Sequence, residues 1–207
     1  MSAPEVVLAS RSAGKLRELR PLFEAEGFAV RDLQELGVPE AVEEDAIEAH
    51  ETFEANARAK ARYFFARCGG RPVVADDSGL EVHALGGAPG VRSKRWSGRA
   101  DLQGVALDEA NNTLLLERLR GAADRGARYV CVVVYWDGAR EVVARGEVSG
   151  RIAEQRASGP HGFGYDPYFV ADELGRSFAD VAREEKATVS HRGRAFAALL
   201  RELRSRR

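Results

Sequence analysis

Glu5-Val6-Val7-Leu8-Ala9-Ser10-Arg11-Ser12-Ala13-Gly14-Lys15-Leu16 changes character twice within one short stretch. It opens as an apolar, valine-rich run and passes through small, polar, turn-forming residues. It then takes up a helical period in which Leu16, Leu19, Leu22 and Phe23 share a face while Arg17, Glu18 and Arg20 lie off it. The stretch therefore reads as strand, loop and helix, with Lys15 in the helix's first turn and Gly27 marking its end.

Working outward, Thr52 to Cys68 predicts a second helix, with Phe53, Ala57, Ala61, Phe64 and Cys68 at spacings of three or four and Gly69-Gly70 ending it. Asn56 and Lys60, four apart, fall on one polar stripe of that helix. Pro72 to Ala75 reads as a buried strand that stops at Asp76-Asp77-Ser78-Gly79, which would set two acids at a strand's carboxyl end. Gly86 to Gly90 is a loop. Leu107 to Leu119 predicts a helix that offers Leu107, Ala110, Leu114, Leu115 and Leu119 for burial. Arg128 to Trp136 is a strand, and Asp137-Gly138 turns it into a partner over Glu141 to Val148. Gly159 to Pro167 is a glycine- and aromatic-rich loop. Ser190 to Arg204 closes the chain as a helix with Phe196, Leu199, Leu200 and Leu203 inward. Alternating strands and helices with a central hairpin predict an α/β layered fold around a mixed sheet, and neither repeat nor linker divides residues 1–207 into more than one domain.

Composition narrows the classes. The 207 residues carry 31 basic and 32 acidic side chains and are 44% hydrophobic, the make-up of a folded globular chain rather than a disordered one. No apolar run approaches the roughly 20 residues needed to span a bilayer, and the first residues lack a secretory pattern, so a cytoplasmic protein without a membrane partner is expected. Cys68 and Cys131 stand far apart without neighbouring ligands, which predicts two buried fillers rather than a disulfide or a zinc site. Charge is local, with eight Lys or Arg against three Glu from Arg183 onward.

Three loops carry usable chemistry. Backbone N–H groups at a helix start, the hydroxyls of Ser10 and Ser12 and the Lys15 ammonium suit a polyphosphate, although the spacing is not that of a Walker loop and a solvated lysine would look the same. Asp76 and Asp77 behind an apolar strand need a cation, a positive partner or water, or else form a turn and a helix cap. Neighbours in extended backbone point to opposite faces, so only one of the pair should reach a shared site. Glu48 offers a further oxygen ligand, and Mg2+ needs only one or two carboxylates beside phosphate and water. In Gly162-Phe163-Gly164-Tyr165-Asp166-Pro167 the rings suit either base stacking or anchoring of the loop, and Asp166 or the backbone could read a base edge.

Taken in order, the Ser10-to-Lys15 loop, Glu48 with Thr52-Phe53, Asn56-Ala57 and Lys60-Ala61, Ala75 to Leu80, Gly86 to Gly90, Gly162 to Pro167, Glu184-Glu185-Lys186 and Ser190-His191-Arg192 resemble the Ham1-type, or inosine triphosphatase-like, family. These segments span nearly the whole chain. The resemblance implies a three-layer-like fold with an elongated mixed sheet flanked by helices and a cleft between two lobes, assembled as a homodimer. It implies a Mg2+-dependent hydrolase that converts inosine and xanthosine triphosphates, ribo or deoxy, to monophosphate and pyrophosphate. By the same resemblance Asp77 would be the catalytic proton acceptor, with Glu48 and Asp77 at the metal. Ser10, Ser12 and Lys15 would hold the phosphates, Arg11 and Lys60 would also bind the substrate, and Ser78, Phe163, Gly164, Tyr165, Asp166, Lys186, His191 and Arg192 would form the nucleotide pocket, with Phe163 stacked on the base. The chain departs from the family where it has Ser12 in place of the usual Asn, with a shorter reach, and His50 in place of a Gly that permits unusual backbone angles.

Two other readings compete. A Maf-like nucleotide pyrophosphatase would share the Leu8-to-Ser12 stretch, but Gly162 to Pro167 and Ser190 to Arg192 speak against it. A nucleic-acid-binding module could use the basic end, but its cations are interspersed with the last helix's apolar face and the whole chain carries a net charge of −1.

Overall fold

The computed structural model describes residues 3–205, with the side chain of Asp45 excepted. Seven strands form one sheet in the order β2-β1-β3-β4-β5-β6-β7. They are β1 (Glu5–Leu8), β2 (Ala29–Asp32), β3 (Val73–Val82), β4 (Gly126–Trp136), β5 (Glu141–Ile152), β6 (Phe169–Ala171) and β7 (Arg176–Ser177). The sheet is mixed. β1 runs parallel to β2, with Val6 opposite Val30, and parallel to β3, with Leu8 opposite Val74. β6 is antiparallel to both β5 and β7. The helices are α1 (Ala13–Ala25), α2 (Glu44–Ile47), α3 (Phe53–Arg67), α4 (Gly104–Arg118), α5 (Arg183–Val189) and α6 (His191–Ser205). Among the described residues no helix is long and apolar enough to cross a membrane.

Local chemistry accounts for the element ends. The Ser12 hydroxyl caps α1 by accepting from Lys15 N–H at 3.4 Å. At the other end Gly27 takes a φ of 77°, which lets Phe28 N–H reach the Phe23 carbonyl at 3.1 Å and stops the helix. Thr52 caps α3 in the same way through Ala55 N–H. Between β4 and β5 the Asp137 carboxylate accepts from the N–H groups of Ala139 and Arg140, which closes the expected turn.

The chain divides into two compact units. The first comprises the residues up to Asp77, Cys131–Gly146 and those from Arg192 on; the second comprises Ser78–Val130 and Glu147–His191. The first unit's core gathers Val6, Leu8, Leu19, Phe23, Val74, Val133, Phe196, Leu199 and Leu203, so both the first and the last helix bury one face in it. Phe23 packs edge-on against Phe28 and Phe196, with ring centroids 5.5 and 5.8 Å apart. The second unit's core gathers Leu80, Val82, Leu115, Leu119, Tyr129, Val148, Ile152, Phe169 and Phe178. Cys68 and Cys131 are free and buried, as the sequence predicts.

One expectation is overturned. The strand that should end at Ala75 continues to Val82, so Asp76 and Asp77 lie in mid-strand rather than at a carboxyl end, and neither caps a helix. Both are buried, at 3% and 6% exposure. The acids interrupt the apolar pattern without interrupting the backbone ladder, because cations from other elements compensate them.

Phe196 is fully buried between α6 and the ring of Phe23, and Phe196→Ala is expected to cost about 3–5 kcal/mol. Urea unfolding measures the loss. A cost below about 1 kcal/mol would mean that the last helix does not carry this core.

Candidate active site

Most of the acids and bases picked out in the sequence meet in the first unit. Asp76 accepts an ion pair from Lys15 Nζ at 2.8 Å, and its Oδ2 lies 3.8 Å from Arg192 Nε and 3.9 Å from Cys131 Sγ. Arg192, itself buried, also pairs with Glu18 on α1. Lys60 on α3 donates to the Asp76 carbonyl at 2.7 Å and pairs with Glu48 Oε1 at 2.8 Å. Asp77 accepts from Asn56 Nδ2 at 2.9 Å, and Asn56 Oδ1 takes His50 N–H at 3.0 Å. Strand alternation thus gives the two adjacent acids different partners.

Their titration diverges for that reason. Burial pushes the Asp76 carboxyl up, but Lys15, Arg192 and Lys60 overcome it and hold it at about 2, against an ordinary 3.8. For Asp77 burial wins: Lys60, Lys15 and Asn56 pull it down, Glu48 pushes it further up, and the carboxyl stays above its ordinary value. Burial would lower Lys60, yet Glu48, Asp76 and Asp77 raise it, and the same balance with Glu18 and Asp76 raises Arg192. Of two carboxyls side by side, one is held below its ordinary value by cations and the other is pushed above it by burial.

The residues present fit a divalent cation. The cations Lys15, Lys60 and Arg192 face the carboxylates Glu18, Glu48, Asp76 and Asp77, so the cluster is net acidic before any phosphate arrives. The charge of Glu48 is felt at Asp77, and these two oxygen donors suffice for a magnesium-like ion that keeps water and phosphate as its other ligands. Among the described residues there is no group of three or more protein ligands of the kind that forms a closed metal cage.

The Ser10-to-Lys15 loop differs in detail from expectation. Ser12 caps α1, and Ser10 Oγ accepts from Ser12 N–H at 3.2 Å. Arg11 turns to the segment before Glu48: it donates to both carboxylate oxygens of Glu44 at 3.0 and 2.7 Å, to Val38 O at 2.8 Å and to Pro39 O at 2.9 Å. Its guanidinium is thus occupied in holding the chain. The usual glycine's replacement by His50 causes no strain, because no described residue other than glycine has a positive φ.

The second unit holds the residues expected at the base. Asp166 and Lys186, both buried, pair at 2.7 Å, and the same Asp166 Oδ2 accepts from Phe163 N–H at 2.8 Å. The Lys186 ammonium lies 5.1 Å from the Phe163 ring centroid. Phe163 is half-buried. Tyr165 is a core residue whose hydroxyl donates to Ser93 O at 2.7 Å, so of the two rings it is the loop's anchor. His191 is buried and stacks on Tyr129, 4.6 Å between centroids and 10° from parallel. Ser78 is half-buried on β3. Gly162 is required where it stands: its φ is 82°, and a Cβ would meet Asp166 Oδ2 at 2.5 Å.

Sequence reasoning missed Asp76 as a hub, Asn56 as its neighbour's donor and Glu18 as the partner of Arg192. The polar stripe of Asn56 and Lys60 was the available signal for the second.

A model described as the Ham1 family matches residues 6–202. A dITP/XTP pyrophosphatase of Ralstonia nicotianae is 46% identical over 202 residues, covering 96% of each chain. Among solved structures, a HAM1 protein from Coxiella burnetii has a TM-score of 0.82 at 34% identity, covering 98% of this chain and 99% of its own. A nucleoside-triphosphatase / dITP/XTP pyrophosphatase from Mycobacterium abscessus has a TM-score of 0.71 at 42% identity, covering 95% and 98%.

The two acids should respond oppositely to the same neutral substitution. The depressed Asp76 contributes stability above pH 3.8 that is lost as pH falls through about 2, and Asp76→Asn leaves Lys15 and Arg192 buried without it, at a cost of about 3–5 kcal/mol. The raised Asp77 is at its most favourable when protonated and becomes a liability as pH rises through its folded value, so Asp77→Asn should stabilise the protein at pH 7. Calorimetric melting of both variants without metal or nucleotide tests this. A lowered Tm for Asp77→Asn would contradict it.

Proposed function

Because this chain belongs to the Ham1 family, we propose that it hydrolyses non-standard purine nucleoside triphosphates, the inosine and xanthosine forms and their deoxy counterparts, to monophosphate and pyrophosphate. The observation that carries this reading is the burial side by side of Asp76, held low by its cations, and Asp77, raised by burial, beside Lys15, Lys60 and Glu48. In this role Asp77 takes the proton of the water that attacks the α-phosphorus as the bond to the bridging oxygen breaks and pyrophosphate leaves. Lys15, Lys60 and the N–H groups at the start of α1 hold the phosphate oxygens. Enzymes of the family use a divalent metal, and here Mg2+ held by Glu48 and Asp77 would draw charge from the phosphates.

Phe163 stacks on the base, backed by Lys186, and His191 and Arg192 bind the nucleotide. Arg11 supports this site by holding the segment that leads to Glu48, and Ser12 by capping the helix that carries Lys15. The whole chain works as one inosine triphosphatase-like domain, as a homodimer, on the cytoplasmic nucleotide pool. A surface for nucleic acid is the weaker reading, since Arg192 of the basic end is turned inward to Glu18 and Asp76.

With Mg2+, pyrophosphate should be released from inosine and xanthosine triphosphates far faster than from adenosine, guanosine or thymidine triphosphate, and Asp77→Asn should lose at least about a thousandfold of it. Release from pyrimidine nucleotides alone would favour the Maf-like reading. The base must be ionised to act and its carboxyl is raised, so kcat/KM should climb with pH through an acidic limb above 3.8. A limb at or below 3.8 would remove Asp77 from that role.

A further inference from the structure

Helix α4 buries two asparagines, Asn111 and Asn112, at 3% and 2% exposure, on a helix whose leucines were expected to fill the core. Asp108 lies one turn before Asn112 on the same face. Between them they hold one residue of the base loop on both sides of its Cα: Asp108 Oδ2 accepts from Gly164 N–H at 2.9 Å, and Asn112 Nδ2 donates to Gly164 O at 2.9 Å. The other Asn112 amide hydrogen goes to Asp108 O at 2.9 Å. Both acceptors are carbonyl oxygens, which fixes the amide's orientation and leaves its buried Oδ1 without a hydrogen-bond partner. A residue kept for packing alone would not carry that desolvation cost.

Asn111 acts on the neighbouring segment in the same manner. It accepts from Ser97 N–H at 2.8 Å and donates to Lys94 O at 3.0 Å, and that segment contains Ser93, whose carbonyl receives the Tyr165 hydroxyl. Gly164 and Tyr165 are therefore both tied, directly or at one remove, to α4. The loop needs such ties. Gly162 and Gly164, with φ of 82° and 62°, flank Phe163 and restrain the chain less than residues with a side chain would. Phe163 N–H donates to Asp166 Oδ2 and Phe163 O accepts from Asp166 N–H, and Asp108 and Asn112 fix Gly164 beyond it.

We propose that Asp108 and Asn112 are positioning residues for base selectivity, which hold the Gly164 peptide so that Phe163 presents its ring to the purine in one orientation. Gly164 then contributes through its conformation, since its N–H is already committed to Asp108. The inference rests on the hydrolase reading given above.

The test is steady-state hydrolysis of inosine and guanosine triphosphates by the full chain and by Asp108→Ala, Asp108→Asn and Asn112→Ala. The expected result is a fall of about tenfold in the ratio of kcat/KM for inosine over guanosine triphosphate in both alanine variants, entering mainly through KM. Asp108→Asn, which keeps an acceptor for Gly164 N–H, should retain the ratio within about twofold. A merely structural role would reduce the active fraction and scale kcat for both nucleotides alike, so an unchanged ratio in the alanine variants overturns the proposal while leaving the hydrolase reading intact. Loss of the ratio in Asp108→Asn equal to that in Asp108→Ala overturns it as well, since charge rather than the hydrogen bond would then be acting. Absence of pyrophosphate release from any purine triphosphate by the unaltered protein overturns the hydrolase reading itself, and this inference with it.

Discussion

Two carboxylates on consecutive residues in the middle of a buried strand are the constraint from which the first unit's arrangement follows. Taking such charges out of water is costly unless cations and hydrogen bonds replace the solvent. The chain supplies them from every part of that unit: Lys15 from the first helix, Asn56 and Lys60 from α3, and Arg192 from the last helix. Each helix also buries an apolar face, so packing places the cations and the acids hold them in return. Asp76 and Asp77 come out chemically different, although they are identical residues one position apart, because alternation along the strand hands them different neighbours.

That division fits the needs of a site for a polyphosphate. A carboxylate held low keeps Lys15 and Arg192 paired with it, while burial keeps its neighbour's carboxyl above the ordinary value. The same economy holds at the glycine-rich loop, where Asp166 Oδ2 accepts from both Phe163 N–H and Lys186. Arg11 and Tyr165 likewise hold the chain around them, Arg11 at Glu44 and Tyr165 at the Ser93 carbonyl.

The elements written in strong periodicity were legible. The opening strand, loop and helix, the helix from Thr52, the hairpin at Asp137-Gly138 and the last helix stand where the pattern placed them, because each has an apolar face and a cap or turn residue at its end. What could not be read were features decided by distant partners. Asp76-Asp77 looks like a strand terminator until Lys15, Lys60 and Arg192 are brought to it. Asn111 and Asn112 look like surface residues until two loops supply their partners. The short strands Phe169–Ala171 and Arg176–Ser177 and the helix Arg183–Val189 carry too little periodicity to announce themselves.

The account stands most directly on the separation of the two acids, which carbon-13 NMR of the aspartate carboxyl groups measures in the metal-free protein as pH is lowered. It predicts that Asp76 remains ionised down to about pH 2 while Asp77 titrates above 3.8. Two carboxyls titrating together near 3.8, or Asp76 protonating first, would contradict it.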